Sequence, residues 1–533
     1  MIPAVLLAAL LGGAMALPAT AGDLPAATGA ASFRELPRAV LEDRIRGGWA
    51  GQMFGVAFAA KHEFVSNGAI LRGPLDWSPE MVANALDQDD LYVEMTFAKV
   101  MDGQGIDATA AQYAAAFRDS EYRLWHANAR ARLALRNGIE PPWSGHPRYN
   151  PHANDIDFQI EADFIGLMAP GLPQATNRLA DRIGHIMNYG DGVYGGMFVA
   201  AMYAAAFFEH DPRRVVETAL RSLPAESGYA QAIAHVLDIH ARQPRDWEAA
   251  WEEITARWDR DDADDEGSLR PFNIDARLNG AYVVLGLLYG GGDMARTLEI
   301  ATHAGQDADC NAATAAGVLG TILGYAAIPA EWTAGIPAIA HRKFAYTTYS
   351  FEDIVASTLS RARALVEAEG GHAGGDTWLV PVQDPVPAPL EQWHPGAPVR
   401  EHLFDDPAWQ WRGEWHADER QRSSDQPGAE AELAFEGTGL MLVSRLAQAG
   451  GRADVYLDGE PAGTLDAYIP ERTSDRALWW HEGLVPGPHR LRIVLRDDAD
   501  PDARGRRLNI ERAVIYDAGA SGTAAVAPAP LAR

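Results

Sequence analysis

A pair of carboxylates just before a long run of small and apolar residues is the feature that most limits how this chain can fold. Asp307 and Asp309 are separated by one residue, and the following run, residues 311–325, reads NAATAAGVLGTILGY. This composition predicts a buried helix in which glycine and alanine let another backbone come close. The two carboxylates would then lie at the N-terminus of that helix, where free amides and the helix dipole favour negative charge.

A second carboxylate pair, Asp89 and Asp90, precedes another helical pattern, in which Val93, Phe97 and Val100 recur at spacings of three and four. Either pair alone also fits an ordinary helix cap. Together, four carboxylates at two helix starts repel one another unless a positive charge lies between them. Hard divalent cations, which prefer oxygen ligands, are the simplest answer.

The length and charge of the chain limit its partners. It has 533 residues, enough for more than one domain, and 47% of them are hydrophobic. Its formal net charge is −28, from 73 acidic and 45 basic residues, and a surface of this sign repels nucleic acid and anionic membranes. We therefore expect a small-molecule or glycan substrate and no nucleic-acid partner. The sequence carries no signal of the oligomeric state.

Residues 1–21 resemble a secretory signal peptide. Residues 1–17 are almost wholly apolar and Ala19-Thr20-Ala21 fits the cleavage pattern, although no Lys or Arg precedes the apolar stretch. That stretch is too short to span a bilayer comfortably, and no later segment is long and apolar enough to do so. We expect a periplasmic or secreted protein, the alternative being an Ala-rich disordered N-terminus. The single cysteine, Cys310, excludes an intramolecular disulfide.

Hydrophobic periodicity divides the rest of the chain into two folded regions. Residues 22–40 are Ala-rich and predicted to be disordered. Residues 41–368 carry helical patterns with hardly any strand pattern, and the Gly/Pro-rich residues 369–400 are typical of a linker. From 401 to 518 the period becomes two, with short strands between Gly, Pro and Asp turns, and 519–533 form an Ala/Pro tail. The predicted fold class is a multidomain chain with an all-α domain followed by an all-β sandwich.

Further polar residues stand out as candidates for a site. Asp157 and Glu161 are four residues apart, so a helix would place both on one face among apolar residues, and we predict a functional role for them. Four residues cluster at the head of another buried helix and are predicted to contact substrate: Asn188, Tyr189, Asp191 and Tyr194. The acidic run 259–266 is most simply a solvated loop, with a calcium site as the alternative.

Three stretches, in order along the chain, are similar to markers of the ADP-ribosylglycohydrolase superfamily, over roughly residues 41–345. The glycine-rich stretch RIRGGWAGQMFGVAF, residues 44–58, is followed by Glu63. Residues 88–91 read QDDL where the family has Thr-Asp-Asp-Thr, and residues 306–313 read QDADCNAA where it has Gly-Asp-x-Asp-Thr-Asn-Ala-Ala. An Ile-Pro-x-x-Trp ending follows at Ile328. One marker alone is weak, but all three in order are fairly specific.

The resemblance implies an all-α fold with a dinuclear metal centre at the bottom of a cleft. Carried over by position, the ligands would be Asp89, Asp90, Asp307 and Asp309, and the carbonyl of Gln88 could still ligate a hard cation. Two divalent ions, usually Mg²⁺, with Mn²⁺ or another ion as alternatives, would hold a ribose diol and polarise a water. Glu63 matches the family's gating glutamate. We treat it as a candidate catalytic residue, with Asp157 and Glu161 as additions from the residue pattern.

Several positions depart from the family pattern. Leu91 cannot ligate a metal. Cys310 replaces a threonine, and its thiol is a poor magnesium ligand that favours softer metals or simply packs. Asn188 falls where relatives often carry histidine. Because these changes cluster at the site, they favour an altered substrate.

The charge of the expected cleft bears on that substrate. Many acids and few nearby Lys or Arg disfavour the anionic pyrophosphate of ADP-ribose. Several loop aromatics, such as Phe64 and Trp143, suit stacking on a neutral sugar, although core packing explains at least half of them. We expect an exported, metal-dependent glycoside hydrolase that cleaves a furanosyl N- or O-glycosidic bond. True ADP-ribosyl hydrolysis and a catalytically degenerate sugar-binding protein are the alternatives.

The C-terminal strands weakly resemble a galactose-binding-like or carbohydrate-binding module. Trp479 and Trp480 would be its sugar platform. A purely structural cap over the helical domain fits the pattern about as well.

Overall fold

The structure, a computed structural model, describes residues 32–259, 264–470 and 476–519. The predicted signal peptide, residues 22–31 and the tail from residue 520 lie outside the described residues. Among the described helices, none has the length and apolarity needed to cross a membrane.

The first part of the chain is helical, as predicted. Its α-helices are α1 (Arg38–Ala59), α2 (Asp89–Gln104), α3 (Ala110–Arg118), α4 (His126–Arg136), α5 (Asp157–Ile160), α6 (Asp163–Leu167), α7 (Pro173–Gly184), α8 (Asp191–Ala206), α9 (Pro212–Leu220), α10 (Gly228–Arg242), α11 (Trp247–Trp258), α12 (Ala276–Gly290), α13 (Met294–His303), α14 (Ala308–Leu323), α15 (Ala330–Thr333), α16 (Ile336–Ile339) and α17 (Phe351–Ala368). Short 3₁₀ helices cover Ala60–His62, Pro79–Asp87 and Tyr325–Ala327.

Helices α1 and α14 pack with their backbones in direct contact at the centre of this region. A Cβ atom on Gly51 would lie 2.2 Å from the carbonyl oxygen of Ala316, and one on Gly47 would lie 2.2 Å from that of Gly320. Glycine inside a helix costs about 1 kcal/mol relative to alanine, so its recurrence here is explained by the close approach it permits. Because α14 is fixed this tightly, its N-terminus is a rigid base for the residues that precede it.

The C-terminal part is rich in antiparallel strands. The strands are β1 (Phe33–Pro37), β2 (Thr377–Pro381), β3 (Ala397–Leu403), β4 (Trp409–Arg412), β5 (His416–Ala417), β6 (Arg422–Ser424), β7 (Glu430–Gly437), β8 (Gly439–Val443), β9 (Arg452–Leu457), β10 (Glu460–Asp466), β11 (Ala477–His481), β12 (Gly487–Leu495), β13 (Leu508–Ile510) and β14 (Arg512–Asp517). Strand β1 precedes α1 and pairs with β2, and β3 to β14 form sheets in the orders β10-β9-β12-β7-β4, β11-β8-β14-β3 and β13-β6-β5. The inward residues of these sheets, including Leu433, Leu442 and Ile493, form one core.

Two predicted boundaries need correction. Strand β1 and the start of α1 occupy residues 33–40, which the Ala-rich composition had placed in a disordered segment. Strand β1 is held because it pairs with β2 along its whole length, from Phe33 opposite Pro381 to Pro37 opposite Thr377. The predicted linker 369–400 correspondingly contains β2 and the start of β3.

The sandwich packs on the helical region through polar contacts. Trp480 donates its indole N–H to the carbonyl of Pro147 at 2.9 Å, and the guanidinium of Arg130 lies over its ring at 5.3 Å. Trp479 is only 9% exposed and belongs to the sandwich core. One tryptophan therefore packs inside the sandwich and the other docks it to the helical region, while both also line a cavity of about 850 Å³ between the two, and the sugar platform stays a prediction.

Candidate metal centre

The two carboxylate pairs lie at helix starts, as the sequence predicts. Asp307 is the N-cap residue of α14 and Asp309 lies in its first turn, while Asp89 and Asp90 form the first turn of α2. The thiol of Cys310, also in the first turn of α14, donates to Oδ2 of Asp90 at 3.5 Å. The N-termini of α2 and α14 therefore meet at these four carboxylates.

A left-handed residue holds the loop before α14 in place. Gln306 has φ 55° and is fully buried, and its backbone N–H donates to Ser66 at 3.0 Å while its carbonyl accepts from Phe64 at 2.9 Å. Its side-chain amide accepts from the N–H of Asn273 and donates to the carbonyl of Pro271, both at 2.9 Å. One residue therefore ties the loop that carries Glu63 and the 271–273 loop to the carboxylates.

Burial raises the pKa values of all four carboxylates, and the charge of Asp307 adds to the shifts of the other three. Burial, followed by the charge of Asp307, raises the pKa of Asp89 from 3.8 to about 6. Burial and the charges of Asp89 and Asp307 raise the pKa of Asp90 well above its usual range, and burial with Asp307 and Glu63 does the same for Asp309. Burial also raises the pKa of Asp307. A cation among these groups would remove the repulsion that the shifts express.

Several buried oxygens in this region accept no hydrogen bond from the described residues. They are Oδ1 of Asp307, Oδ1 of Asp309 and Oε2 of Glu161. A buried carboxylate oxygen without a donor is costly, whereas a hard divalent cation takes such oxygens as its preferred ligands. The donor set therefore fits one or two ions of the Mg²⁺ or Mn²⁺ type.

Cys310 has two neighbours of different kinds. Besides Asp90, its side chain packs with Ile156, Ile160 and Ile274 in a small apolar cluster that Phe64 and Phe272 adjoin. Burial and the charge of Asp307 raise the pKa of the thiol well above its usual range, so it stays protonated. The residue therefore acts as a hydrogen-bond donor to a carboxylate of the centre and as packing.

Glu63 lies beside this centre at the end of a short 3₁₀ helix. The residue is exposed, yet surrounding protein still desolvates its carboxyl, and with the charges of Asp307 and Asp89 this raises its pKa from 4.5 to about 7. A carboxyl with this pKa exchanges a proton readily near neutral pH. The position of Glu63 beside the carboxylates is compatible with its predicted catalytic role, which stays a prediction.

Asp157 and Glu161 differ from each other in their surroundings. Both oxygens of Asp157 accept backbone N–H groups at the start of α4, from Ala127 at 3.2 Å and from Asn128 at 3.0 Å. Asp157 is thus a helix-capping carboxylate, which favours a structural role, and its catalytic role stays a prediction. Glu161 accepts one bond from the Asn128 amide, and burial and nearby carboxylates raise its pKa well above its usual range. It belongs to the buried side of the centre.

The four predicted substrate contacts have other partners. The amide of Asn188 accepts from Phe158 and donates to the carbonyls of Ala153 and Asp155. Tyr189 is 1% exposed, and Tyr194 donates to the carbonyl of Pro389. Asp191 accepts from the N–H of Tyr229 at 2.9 Å.

These four side chains therefore hold loops and the segment around residues 389–393 in place. Their substrate-binding prediction is corrected, because the polar groups of Asn188, Asp191 and Tyr194 are used inside the protein and Tyr189 is buried. The sequence alone could not reveal this, since every partner is distant along the chain.

Gln88 is the N-cap residue of α2, and its amide nitrogen donates to Asn84 at 2.6 Å. This bond fixes the side chain near Asp89 but uses only its N–H group. Its role as a ligand stays a prediction.

Aromatic side chains flank the carboxylates on two sides. Phe64 and Phe272 pack with ring centroids 4.7 Å apart beside Cys310. Burial and then the charge of Asp89 raise the pKa of Tyr92, whose ring centroid lies 5.2 Å from that of Tyr346, and Tyr346 is 66% exposed. Tyr346 was not predicted, because nothing in the local sequence links it to α2.

Two more buried acids were missed. Glu94 is fully buried on α2, accepts from the N–H of Phe164 at 2.8 Å, and its pKa is raised well above its usual range by burial and then by the charge of Asp163. Burial raises the pKa of Asp163 to about 7. A signal for Glu94 existed, since it lies four residues after Asp90 on a predicted helix.

Comparisons with individual known proteins give matches that are either short or low in sequence identity. A stretch of 71 residues, 13% of this chain, is 39% identical to the "A type blood alpha-D-galactosamine galactosaminidase" of Flavonifractor plautii, and it spans 6% of that enzyme. A solved structure named "ADP-ribosylglycohydrolase-related protein complex" is similar with a TM-score of 0.41 and 17% identity, over 61% of this chain and 99% of that one. The CBM36-1 domain of a multidomain xylanase from the hindgut metagenome of Trinervitermes trinervoides gives a TM-score of 0.17 and 14% identity, over 22% of this chain and 95% of that domain. Structural similarity at these TM-scores does not identify the activity of this chain.

The family comparison is more extensive. The family model of ADP-ribosylglycohydrolases matches residues 37–369, which is more than half of the chain and contains both carboxylate pairs and Glu63. The chain therefore belongs to the ADP-ribosylglycohydrolase family.

Proposed function

We propose that this chain is an exported, metal-dependent glycoside hydrolase that cleaves an N- or O-glycosidic bond to a furanose resembling ribose or arabinose. The main support for this proposal is that buried oxygens on Asp307, Asp309 and Glu161 have no hydrogen-bond donor among the described residues, and that a glutamate with a pKa of about 7, Glu63, lies beside them. Membership of a glycohydrolase family supports the reaction class.

A neutral sugar suits the charges around the centre better than a pyrophosphate does. The nearest basic residues in sequence to Glu63 and Phe272 are Lys61 and Arg270, and both are paired, Lys61 with Asp76 at 3.0 Å and Arg270 with Glu401 at 2.7 Å. The carboxylates themselves repel an anion. The aromatic side chains of Phe64, Phe272 and Tyr346 offer apolar surface for a sugar ring.

In the proposed reaction, the metal ions and the protein side chains have different roles. Two divalent cations held by Asp89, Asp90, Asp307 and Asp309 would polarise a water and orient a sugar diol. Glu63, outside the buried carboxylates, holds or moves a proton at its carboxyl oxygen as the glycosidic bond breaks. The thiol of Cys310 orients Asp90 by donating to it.

Hydrolysis of ADP-ribosyl groups is the second candidate, and the family match is what favours it. It requires donors for a pyrophosphate. The third alternative, a sugar-binding protein without turnover, would retain binding when a chelator removes the metal.

A substrate panel separates these readings. ADP-ribosyl-arginine, ADP-ribosyl-serine, nucleosides, pentofuranosides and hexofuranosides would be incubated with Mg²⁺ or with EDTA, and an α-galactosaminide is added because of the short match to a galactosaminidase. Release of a neutral sugar that EDTA abolishes supports the proposal and names the sugar. Release of ADP-ribose supports the second candidate, and no release with sugar binding that survives EDTA supports the third.

Export rests on the apolar N-terminus and the Ala19-Thr20-Ala21 site, so we propose a periplasmic or secreted location. N-terminal sequencing of the protein from its native host checks this. A mature chain that begins at Gly22 agrees with export, and a chain that keeps residues 1–21 contradicts it.

A further inference from the structure

Four metal-ligating side chains converge next to the carboxylate centre, outside the family motifs. They are His126, His152, Asp155 and Asp264, and one donor atom from each lies within 4.8 Å of all the others. His126 begins α4, His152 and Asp155 precede α5, and Asp264 lies between α11 and α12. Three separate segments thus supply one cluster.

The distances match a four-coordinate metal site. His152 Nδ1 lies 2.7 Å from Asp264 Oδ2 and 3.0 Å from Asp155 Oδ2. His126 Nδ1 lies 3.5 Å and 3.7 Å from the same two oxygens. In a tetrahedral site with metal–ligand distances of about 2.0–2.1 Å, neighbouring ligand atoms are about 3.3 Å apart. The four distances scatter around that value.

The orientation of the rings adds to the argument. Both Nδ1 atoms face the same oxygen of each carboxylate, and the two rings cross at 73° with centroids 5.9 Å apart. The two nitrogens therefore approach one point from different directions. Two independent ion pairs would not require both histidines to share both oxygens.

The cluster is almost closed to solvent. The side chains of His152 and Asp264 are 1% and 0% exposed, and that of His126 is 14% exposed. A divalent ion with two neutral imidazoles and two carboxylates has no net charge, which suits burial. The competing arrangement is metal-free, with imidazolium–carboxylate pairs. In the metal-free arrangement, burial by itself lowers the pKa of His126. The hydrogen bond to Asp264 and the charge of Asp155 outweigh the effect of burial and raise the pKa of His126 to about 10.

We propose that His126, His152, Asp155 and Asp264 bind one zinc ion in a closed structural site. Two nitrogen and two oxygen ligands in a tetrahedral arrangement suit Zn²⁺, whereas Mg²⁺ prefers oxygen ligands in octahedral geometry. The site does not depend on the proposed hydrolysis, because it shares no ligand with the carboxylate centre.

The position of Asp264 suggests a structural role for the proposed zinc ion. The next residue, Asp265, accepts from the N–H of Arg476 at 2.6 Å, and Arg512 donates to the carbonyls of Asp265 and Ser268. These contacts hold the sandwich. On the other side, the ring of His126 stacks on Phe272 at 5.8 Å, next to Phe64. Zinc would therefore fasten the segment that docks the sandwich to one wall of the carboxylate centre.

Metal analysis in a background without the first centre tests the proposal. The full-length chain with Asp307→Asn and Asp309→Asn is stripped with EDTA, reloaded with Zn²⁺, freed of excess ion and measured by mass spectrometry. We expect one zinc per chain, lost when His152→Gln is added and kept when the exposed Asp76→Asn is added as a control. Zinc that survives His152→Gln, or its absence from the parent, overturns the proposal.

A measurement on the wild-type protein guards against misfolded variants. With ¹⁵N-labelled histidine, zinc binding should move the Nδ1 resonances of two histidines to the values of metal-bound neutral imidazole. Hydrogen exchange of residues 264–268 should slow at the same time. If those two rings remain imidazolium at saturating zinc, the ion-pair arrangement is correct and the zinc site is not. Failure of the substrate panel would leave either result unchanged.

Discussion

The carboxylate centre and the histidine cluster are neighbours, yet they deal with charge in opposite ways. The centre combines Asp89, Asp90, Asp307 and Asp309; burial raises the pKa of each, and the charge of Asp307 raises those of the other three further. In the histidine cluster two imidazoles face two carboxylates: although burial opposes it, the charge of His152 holds the pKa of Asp264 well below its usual range, whereas burial and the charge of Asp264 raise the pKa of Asp155 well above its usual range. The carboxylate centre lacks a positively charged side chain among its four members, whereas the histidine cluster includes two histidines.

The difference shows how to read buried acids in this molecule. Oxygens without a donor, such as Oδ1 of Asp307, mark a place where the protein alone is incomplete. Oxygens that each accept a backbone N–H, such as those of Asp157, mark a place where the acid stabilises the fold. Burial by itself does not separate the two cases.

The largest expected effect comes from removing charge at the incomplete cluster. Asp307→Asn or Asp309→Asn should lower kcat/KM by about 10³-fold or more, since several kcal/mol of charge stabilisation depend on the ions. Isothermal titration should show a matching loss of Mg²⁺ or Mn²⁺ binding. Asp76→Asn, an exposed aspartate paired with Lys61, serves as the control. Full activity in either variant would contradict the metal centre.

The second prediction uses pH to separate the metal-free and metal-bound centre. The folded pKa values of Asp89 and Glu63 are raised, to about 6 and about 7, so the folded state binds more protons than the unfolded one in this range. In EDTA, the melting temperature should therefore fall as pH rises from about 4 to about 7. Mg²⁺ should raise it more at pH 7 than at pH 5.

Scanning calorimetry at the two pH values measures this effect. In Asp307→Asn the increment from Mg²⁺ should largely disappear. Equal increments at both pH values in the wild type would mean that the carboxylates do not titrate with the ion.

A smaller effect is expected at Cys310, where a matched pair of variants differs in one group. Thr and Val have the same shape, but only Thr keeps a donor for Asp90. Cys310→Thr should stay within about threefold of wild type, whereas Cys310→Val should lose about tenfold in metal affinity, as for other groups that orient ligands. Metal titration of both variants decides. Equal affinities would show that packing is the only role of the thiol.

The smallest effect concerns the open side of the carboxylate centre. Tyr346→Ala should raise KM by about 2- to 10-fold with kcat nearly unchanged, because an exposed ring adds about 0.5–1.5 kcal/mol of stacking. Steady-state kinetics on the sugar named by the panel measure it, with Tyr346→Phe as the control that keeps the ring. A fall in kcat without a change in KM would place Tyr346 in the chemistry and not in binding.

The elements that could be predicted are those whose cause is local. The glycines and alanines of residues 311–325 predicted a close helix contact, and α1 supplies the partner of α14. Period-two patterns predicted β7 and β12, which pair along their length. Strand β1 could not be predicted, because its partner β2 lies at the far end of the helical region.

The site shows the same division. Both carboxylate pairs could be found because helix starts have local signals. Asn188 and Asp191 were misassigned because their hydrogen-bond partners are remote in sequence. The acidic run 259–266 was predicted to be a solvated loop, yet Asp264 and Asp265 are 2% exposed, since histidines and arginines from other segments surround them.

Gln306 has a consequence for engineering. It occupies a left-handed conformation at the position where the family motif has glycine, at a cost of about 1 kcal/mol, and its backbone and side-chain hydrogen bonds offset that strain. Transplanting the glycine motif of a relative would relieve the backbone but cut the side-chain bonds to Pro271 and Asn273. A chimeric enzyme made this way would also need the relative's 271–273 loop. The motif and this loop therefore have to be exchanged together, and exchanging the metal ligands alone is not enough.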